Sequence, residues 1–295
     1  MAARVALASR VAAAWPTDAV HICTNALALA HPHPRDATIE FDEGPHIYYV
    51  DGKPLPISGT GVVHALFDAQ PSSAFIAGMR PETRAAKYPG MSDDDILRAW
   101  QSAGAQASLD GTRMHAAIET YWNTYDCVAR TGFVTRDPLL VREMALFRQF
   151  LEHEFWPRDL EPWRTEMIVH DNTHVAGSID FVARSARTRE FYIFDWKRVR
   201  EIKHSARGRS GYSPVLPEYK LENVNFVHYS LQLHLYRYLL MRFYDIDPIP
   251  VTNLYMVVLH PQDVSYSLVQ CADLSHVVPR IFAKMPEILE RHARK

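Results

Sequence analysis

Residues 163–170, 174–184 and 190–197 are three apolar runs, separated only by Asp171-Asn172 and by the polar segment Ser185 to Arg189. Runs this short, bounded by turn-forming residues, predict three antiparallel strands in a meander. Helical patterns flank them. Upstream, Ser92 followed by Asp93, Asp94 and Asp95 opens a helix to about Ala103, with its acids at the favourable end, and a second helix is expected from about Asp110 to Tyr125. A third starts at Asp137 with Pro138 in its first turn, carries Leu140, Met144, Phe147, Phe150 and Leu151 on one stripe, and ends before Pro157. Downstream come a long helix at about 224–243, strands at 251–259 and 264–270, and a helix from about 275. The order helix, three strands, helix, strand predicts an α/β fold.

Ahead of this core, His46 to Val50 reads as a strand that turns at Asp51-Gly52 into a short second one, and Ser58 to Phe67 reads as a loop opening a short helix. Neither an internal repeat nor a convincing linker divides the chain. The expected organisation is an N-terminal extension over 1–37 and a single domain over 38–295. A chain of 295 residues with 47% hydrophobic and 22% charged residues is long enough for a sizeable core and too apolar for a disordered protein. No apolar run approaches the roughly 20 residues that span a bilayer, so no membrane partner is expected. Cys23, Cys127 and Cys271 form no C-x-x-C pair, which argues against a disulfide scaffold, a four-cysteine zinc site or an iron–sulfur cluster. The first 18 residues are Ala- and Val-rich, with Arg4 and Arg10 and no acid before Asp18, and faintly resemble a mitochondrial transit peptide. An Ala-rich helical N-terminus is the alternative, and the compartment stays open.

Asp195 and Lys197 lie two apart on the third strand, so their side chains share one face while Trp196 takes the other. Their neighbours Ile193, Phe194 and Trp196 are apolar, and charged groups in such a strand need a partner or a task. Asp180, on the preceding strand, approaches Asp195 if it shares that face. Two carboxylates and an amine at a sheet end suit a hard divalent cation, with the amine stabilising phosphoryl charge. His115 and Glu119, four apart, share a helix face, as do Gln232 and Tyr236. From Lys197 to Arg209 the chain holds Lys197, Arg198, Arg200, Lys203, Arg207 and Arg209 against the single acid Glu201. Taken alone, that run is a solvated loop; beside Lys197 it reads as a groove tracking a phosphate backbone.

Taken in order, Gly111-Thr112-Arg113-Met114-His115 with Glu119, then Glu166, then Gly177-Ser178-Ile179-Asp180, then Asp195-Trp196-Lys197, then Gln232-Leu233-His234-Leu235-Tyr236 form a set more specific than any single motif. Over roughly residues 45–260 the chain resembles the PD-(D/E)XK nuclease superfamily, in its RecB-like branch with the lambda-type and mitochondrial genome-maintenance exonucleases. The resemblance implies a restriction-endonuclease-like core of order α-β-β-β-α-β, a central mixed sheet flanked by helices, with an N-terminal hairpin and helical additions. It implies His115, Asp180, Asp195 and the Trp196 carbonyl as ligands of Mg2+ or Mn2+, and Lys197 as the catalytic lysine. Glu119 and Glu166 match acidic positions for a second metal or for orienting a ligand. Gln232 and Tyr236 match a helix motif contacting the substrate backbone, and Ser58 and Thr60 belong to the family's lead-in. The iron–sulfur cysteines of some relatives are absent. The implied activity is hydrolysis of DNA phosphodiesters at single strands or ends, with an endonuclease or an idle DNA-binding module as alternatives.

Overall fold

The three apolar runs become the centre of a six-stranded sheet in the computed structural model, which describes residues 26–42, 44–69, 72–123, 137–207 and 210–294. They form β5 (Leu160–His170), β6 (Val175–Ser185) and β7 (Phe191–Lys197), paired antiparallel in sequence order. The strand β8 (Leu254–Val258) then lies parallel to β7 and β9 (Ser267–Gln270) antiparallel to β8. One edge of β6 is covered by β5. Along its other edge β6 meets β4 (Ile57–Ser58) in parallel at Val175 and Ala176, then β7 from Phe181 onward. Residues 177–180 therefore face the gap where β4 gives way to β7. The result is an α/β fold with a mixed sheet flanked by helices. A separate antiparallel sheet holds β1 (Ile39–Asp42), β2 (Ile47–Val50) and β3 (Lys53–Pro54).

Upstream of the meander stand α1 (Ala26–Ala30), α2 (Gly59–Ala65), α3 (Ser72–Ala77), α4 (Pro81–Lys87), α5 (Asp93–Asn123) and α6 (Val141–Phe150). The two helices expected over residues 92–125 are one helix of 31 residues, α5. Gly104 and Gly111 weaken it without breaking it, since no proline intervenes and the bonds Gln106 Nε2 to Asp110 Oδ1 (2.8 Å) and Thr112 Oγ1 to Ser108 O (3.1 Å) brace that stretch. Asp137 caps a 3-10 turn at Pro138–Leu140 that feeds α6, so the third helix starts later than its pattern suggests. The crossover from β7 to β8 contains α7 (Asn225–Phe243). The expected C-terminal helix is two, α8 (Val278–Ala283) and α9 (Met285–Ala293), because Pro286 sits in the first turn of the second and has no N–H to continue the first.

Alternation along the sheet divides the core. Phe181, Phe194 and Trp196 pack with Trp122 of α5 and Phe147 and Phe150 of α6, while Val182, Ile193 and Met256 pack with Leu233, Leu239 and Leu240 of α7. Burying each such side chain stabilises the fold by roughly 1.5–3 kcal/mol. Residues 26–37, assigned from the sequence to an N-terminal extension, pack on this domain. The backbone N–H of Leu27 donates to Asn123 Oδ1 at 3.0 Å, and Arg35 donates to His170 O at 2.7 Å. The transit-peptide-like residues 1–18, Cys23, Cys127 and Tyr125 lie outside the described residues, while Cys271 is buried. No described helix is long and apolar enough to cross a membrane.

Candidate active site

Where β4 and β7 part along β6, Trp196 pairs with Val257 of β8 on one edge, and on its β6 edge, beyond the Phe181–Phe194 pair, the Asp180 side chain takes the place of a strand partner. The Trp196 N–H donates to Asp180 Oδ2 at 2.8 Å. The same carboxylate oxygen lies 3.7 Å from His115 Nδ1, and Glu166 Oε1 lies 3.6 Å from that nitrogen. His115, Glu166 and Asp180 thus bring one ligand atom each within 4.8 Å of one another, from α5, β5 and β6.

Glu166 reaches this point through an unusual backbone. Its φ is 45°, inside strand β5, and the ladder pairs its neighbours Thr165 with Phe181 and Met167 with Ile179 around it. A left-handed, non-glycine residue in a strand costs of order 1–3 kcal/mol and interrupts the regular alternation of side chains. The carboxylate is then held by Ser178 Oγ, which donates to Glu166 Oε2 at 2.8 Å. On the opposite side, His115 Nε2 lies 3.0 Å from the Trp196 carbonyl and donates to it, which fixes the ring with Nδ1 toward the carboxylates. The carbonyl expected as a metal ligand is engaged by His115.

Asp195, close enough for its charge to interact with those of Asp180 and His115, pairs with Lys197, Nζ to Oδ2, at 2.6 Å. The Lys197 ammonium also lies 4.6 Å from the ring centre of Tyr229 on α7. Electrostatics follow from this crowding. Burial pushes the Asp195 carboxyl up to about 6 against the pull of Lys197. Burial disfavours the charge on Lys197, yet Asp195 and Asp180 outweigh it and raise its pKa. The same contest at His115 ends near 9, because Asp180 and Glu166 override its burial. Burial and the Glu166 charge raise Glu119, one turn along α5, to about 7.

Tyr236 packs against Gly177 and Gly59: a Cβ on Gly177 would meet its hydroxyl at 2.5 Å, and one on Gly59 its ring at 2.8 Å. Only glycine fits beneath that ring, which accounts for the glycine three residues before Asp180. Gln232 Nε2 donates to Tyr236 Oη at 3.2 Å and to Thr60 Oγ1 at 3.4 Å, so the two helix residues and Thr60 form one group. Ser58 caps α2, its Oγ accepting from the Gly61 N–H at 3.1 Å.

The basic stretch divides. Arg198 turns inward, its Nε donating to the fully buried Glu143 at 2.8 Å and its Nη1 lying 3.3 Å from Asp110, so it ties β7 to α6 and α5 instead of facing solvent. Arg200, Lys203 and Arg207 are exposed, Arg200 donating to Gln262, and Arg209 lies outside the described residues. Tyr229, Ser178 and Tyr48 are site residues that the sequence reading missed; burial and the charge of Glu166 raise the Tyr48 hydroxyl to about 12. A heptad-like step from Tyr229 to Gln232 and Tyr236 is the one local signal for the first of them.

The donor set fits a divalent cation. Ligands about 2.1 Å from one ion lie up to roughly 4.2 Å apart, and the separations of 3.6 and 3.7 Å fall within that span. A mixture of one imidazole and two carboxylates accommodates Mn2+ as readily as Mg2+. No protein-family model matches the chain, and no curated protein matches it.

Proposed function

We propose that the protein is a metal-dependent deoxyribonuclease with a restriction-endonuclease-like core, acting as an exonuclease on single strands or DNA ends. The observation that carries this reading is the convergence of His115, Glu166 and Asp180 beside the Asp195–Lys197 ion pair, at the point where the sheet divides. His115, Glu166 and Asp180 would hold a divalent cation, which would supply Lewis acidity toward a phosphate and toward water. The chain's own groups do the rest. Lys197, kept protonated and fixed by Asp195, offsets negative charge developing on the phosphoryl group. The Trp196 peptide orients two ligands at once, its N–H on Asp180 and its carbonyl on His115. Gln232, braced by the buried Tyr236, and the exposed Thr60 present polar groups toward the strand, and the exposed Arg200, Lys203 and Arg207 supply positive charge for it.

End-labelled single-stranded, linear duplex and circular DNA, each incubated with Mg2+, Mn2+ or EDTA, tests the reading. Linear substrate is degraded with metal and circular substrate is spared, and Asp180→Ala lowers the rate by about a thousandfold, since a metal-held phosphate accounts for several kcal/mol of barrier. Absence of metal-dependent cleavage on every substrate overturns the nuclease, and cleavage of circles overturns its exonucleolytic form.

A further inference from the structure

Two turns along α7 from Tyr236 lies an open cavity of about 780 Å³ that the catalytic cluster does not use. Its walls come from four places in the chain. His64 is on α2, Phe67 and Asp68 follow that helix, Phe75 is on α3, Lys203 belongs to the loop after β7, and His228 opens α7. The ring of His228 packs at a tilt of 33° against buried Phe67, centroids 4.4 Å apart, and lies 6.0 Å from that of His64. Phe75 stands 55% exposed at the mouth, an unusual position for a phenylalanine in a chain with a well-filled core. The lone acid in this group, Asp68, is neutralised by Arg291 at 2.7 Å, so the charge the cavity offers is that of exposed Lys203.

Position gives these features a direction. His228, Gln232 and Tyr236 are each four residues apart on one helix, hence on one face. His228 at the cavity is followed on α7 by Tyr229, whose ring centre lies 4.6 Å from the Lys197 ammonium, so the cavity lies close to the catalytic group, within a few nucleotides of a strand passing Lys197. Flat aromatic surfaces beside an ammonium are what a nucleotide engages, its base by stacking and its phosphate by charge.

We propose that this cavity binds an unpaired base of the nucleic-acid strand a few nucleotides from the scissile phosphate, with Phe75 and His228 as its stacking surfaces and Lys203 on the adjoining phosphate. The inference rests on the proposed action on DNA and adds a site that reads bases, distinct from the metal cluster that acts on phosphate. It makes the protein a binder of single strands over duplexes at this point, because a paired base cannot enter the cavity.

The test needs no catalysis. Affinity for a fluorescently labelled single-stranded oligonucleotide, and for an abasic oligonucleotide of equal length, is measured by anisotropy in EDTA for the full chain and for Phe75→Ala. Loss of one stacked base corresponds to about a tenfold weaker affinity for the normal oligonucleotide. Phe75→Ala leaves the abasic affinity unchanged, and its thermal midpoint stays at the parent value because the side chain is exposed. Lys203→Ala, in contrast, weakens both oligonucleotides alike. Equal affinity of Phe75→Ala and the parent chain for the normal oligonucleotide overturns the base pocket while leaving the nuclease standing. Failure of the parent chain to bind either oligonucleotide overturns both. A 5-iododeoxyuridine oligonucleotide crosslinked in EDTA provides a second readout: adducts on Phe75, His64 or His228 support the pocket, and adducts confined elsewhere overturn it.

Discussion

At the scale of single residues, Glu166 shows how the site is made at the expense of regular structure. Its left-handed φ of 45° is unfavourable for any residue with a Cβ, yet it carries the carboxylate to His115. Removing the side chain therefore has two separable effects. Glu166→Gly and Glu166→Ala both abolish metal-dependent cleavage, while the glycine variant is more stable than the alanine variant by about 1 kcal/mol, because glycine occupies this conformation without strain. Urea unfolding of the two variants, read beside their activity, checks the expectation; equal stabilities show that the strain is not local to Glu166. The resemblance alone points to Glu166, as an acid that holds a second metal or orients a ligand, since nothing in a period-2 pattern announces a residue that breaks the pattern. Lys197 was legible for the opposite reason: a charged pair in an otherwise apolar strand is an anomaly visible in the sequence. Its partner Asp195, expected from the resemblance as a metal ligand, is held by that lysine at 2.6 Å.

Elements are locked to one another by charges that pattern reading assigned to solvent or substrate. Arg198 bridges β7 to α6 through Glu143 and to α5 through Asp110, holding the strand of Lys197 against the helix of His115. Cutting one side of a buried pair leaves an uncompensated charge, so Arg198→Ala lowers stability by about 3 kcal/mol. Exposed Arg200→Ala changes it by less than about 0.5 kcal/mol. Comparable losses in urea unfolding contradict this division of the basic stretch. The N-terminal segment is joined in a similar way. His170 on β5 is buried, its Nδ1 accepting from Arg35 Nη2 at 3.0 Å and its Nε2 donating to Thr38 Oγ1 at 3.3 Å, which fixes the neutral tautomer. Burial and the Arg35 charge depress its pKa from 6.5 to about 4. A depressed folded pKa means that the unfolded chain takes up the proton first. The contribution of His170 is complete above pH 6.5 and is lost as pH falls from there toward 4, up to about 3 kcal/mol. His170→Gln flattens that part of the stability–pH curve; an unchanged acid slope assigns it to other groups. The three central strands and the long crossover helix could be read from periodicity, since burial on both faces leaves little choice of pattern. The single long α5 could not, because two glycines and a polar middle look like a break until the bonds across them are seen.

For the molecule as a whole, a net charge of -2 gives no general attraction for a polyanion, so affinity for DNA has to come from where the cations stand. Arg198 is committed to Glu143 and Asp110, which leaves Arg200, Lys203 and Arg207 as the exposed positive charges of the described part of the basic stretch 197–209. This loop joins the strand that carries Lys197 to the mouth of the aromatic cavity, so on the proposed function phosphates along it would run between the two sites. Counterion release then sets a modest salt dependence: three phosphate contacts on a single strand give a slope of log affinity against log salt of about −2. Lys203→Ala brings the slope to about −1.4, whereas Phe75→Ala lowers affinity with the slope unchanged, because stacking releases no counterions. Titrations between about 50 and 200 mM salt, in EDTA, separate the two effects. A slope several times steeper shows that the strand engages basic surface well beyond this loop, and a slope near zero removes the loop from the binding path. Either result moves the substrate track away from the loop that runs from Lys197 to the cavity.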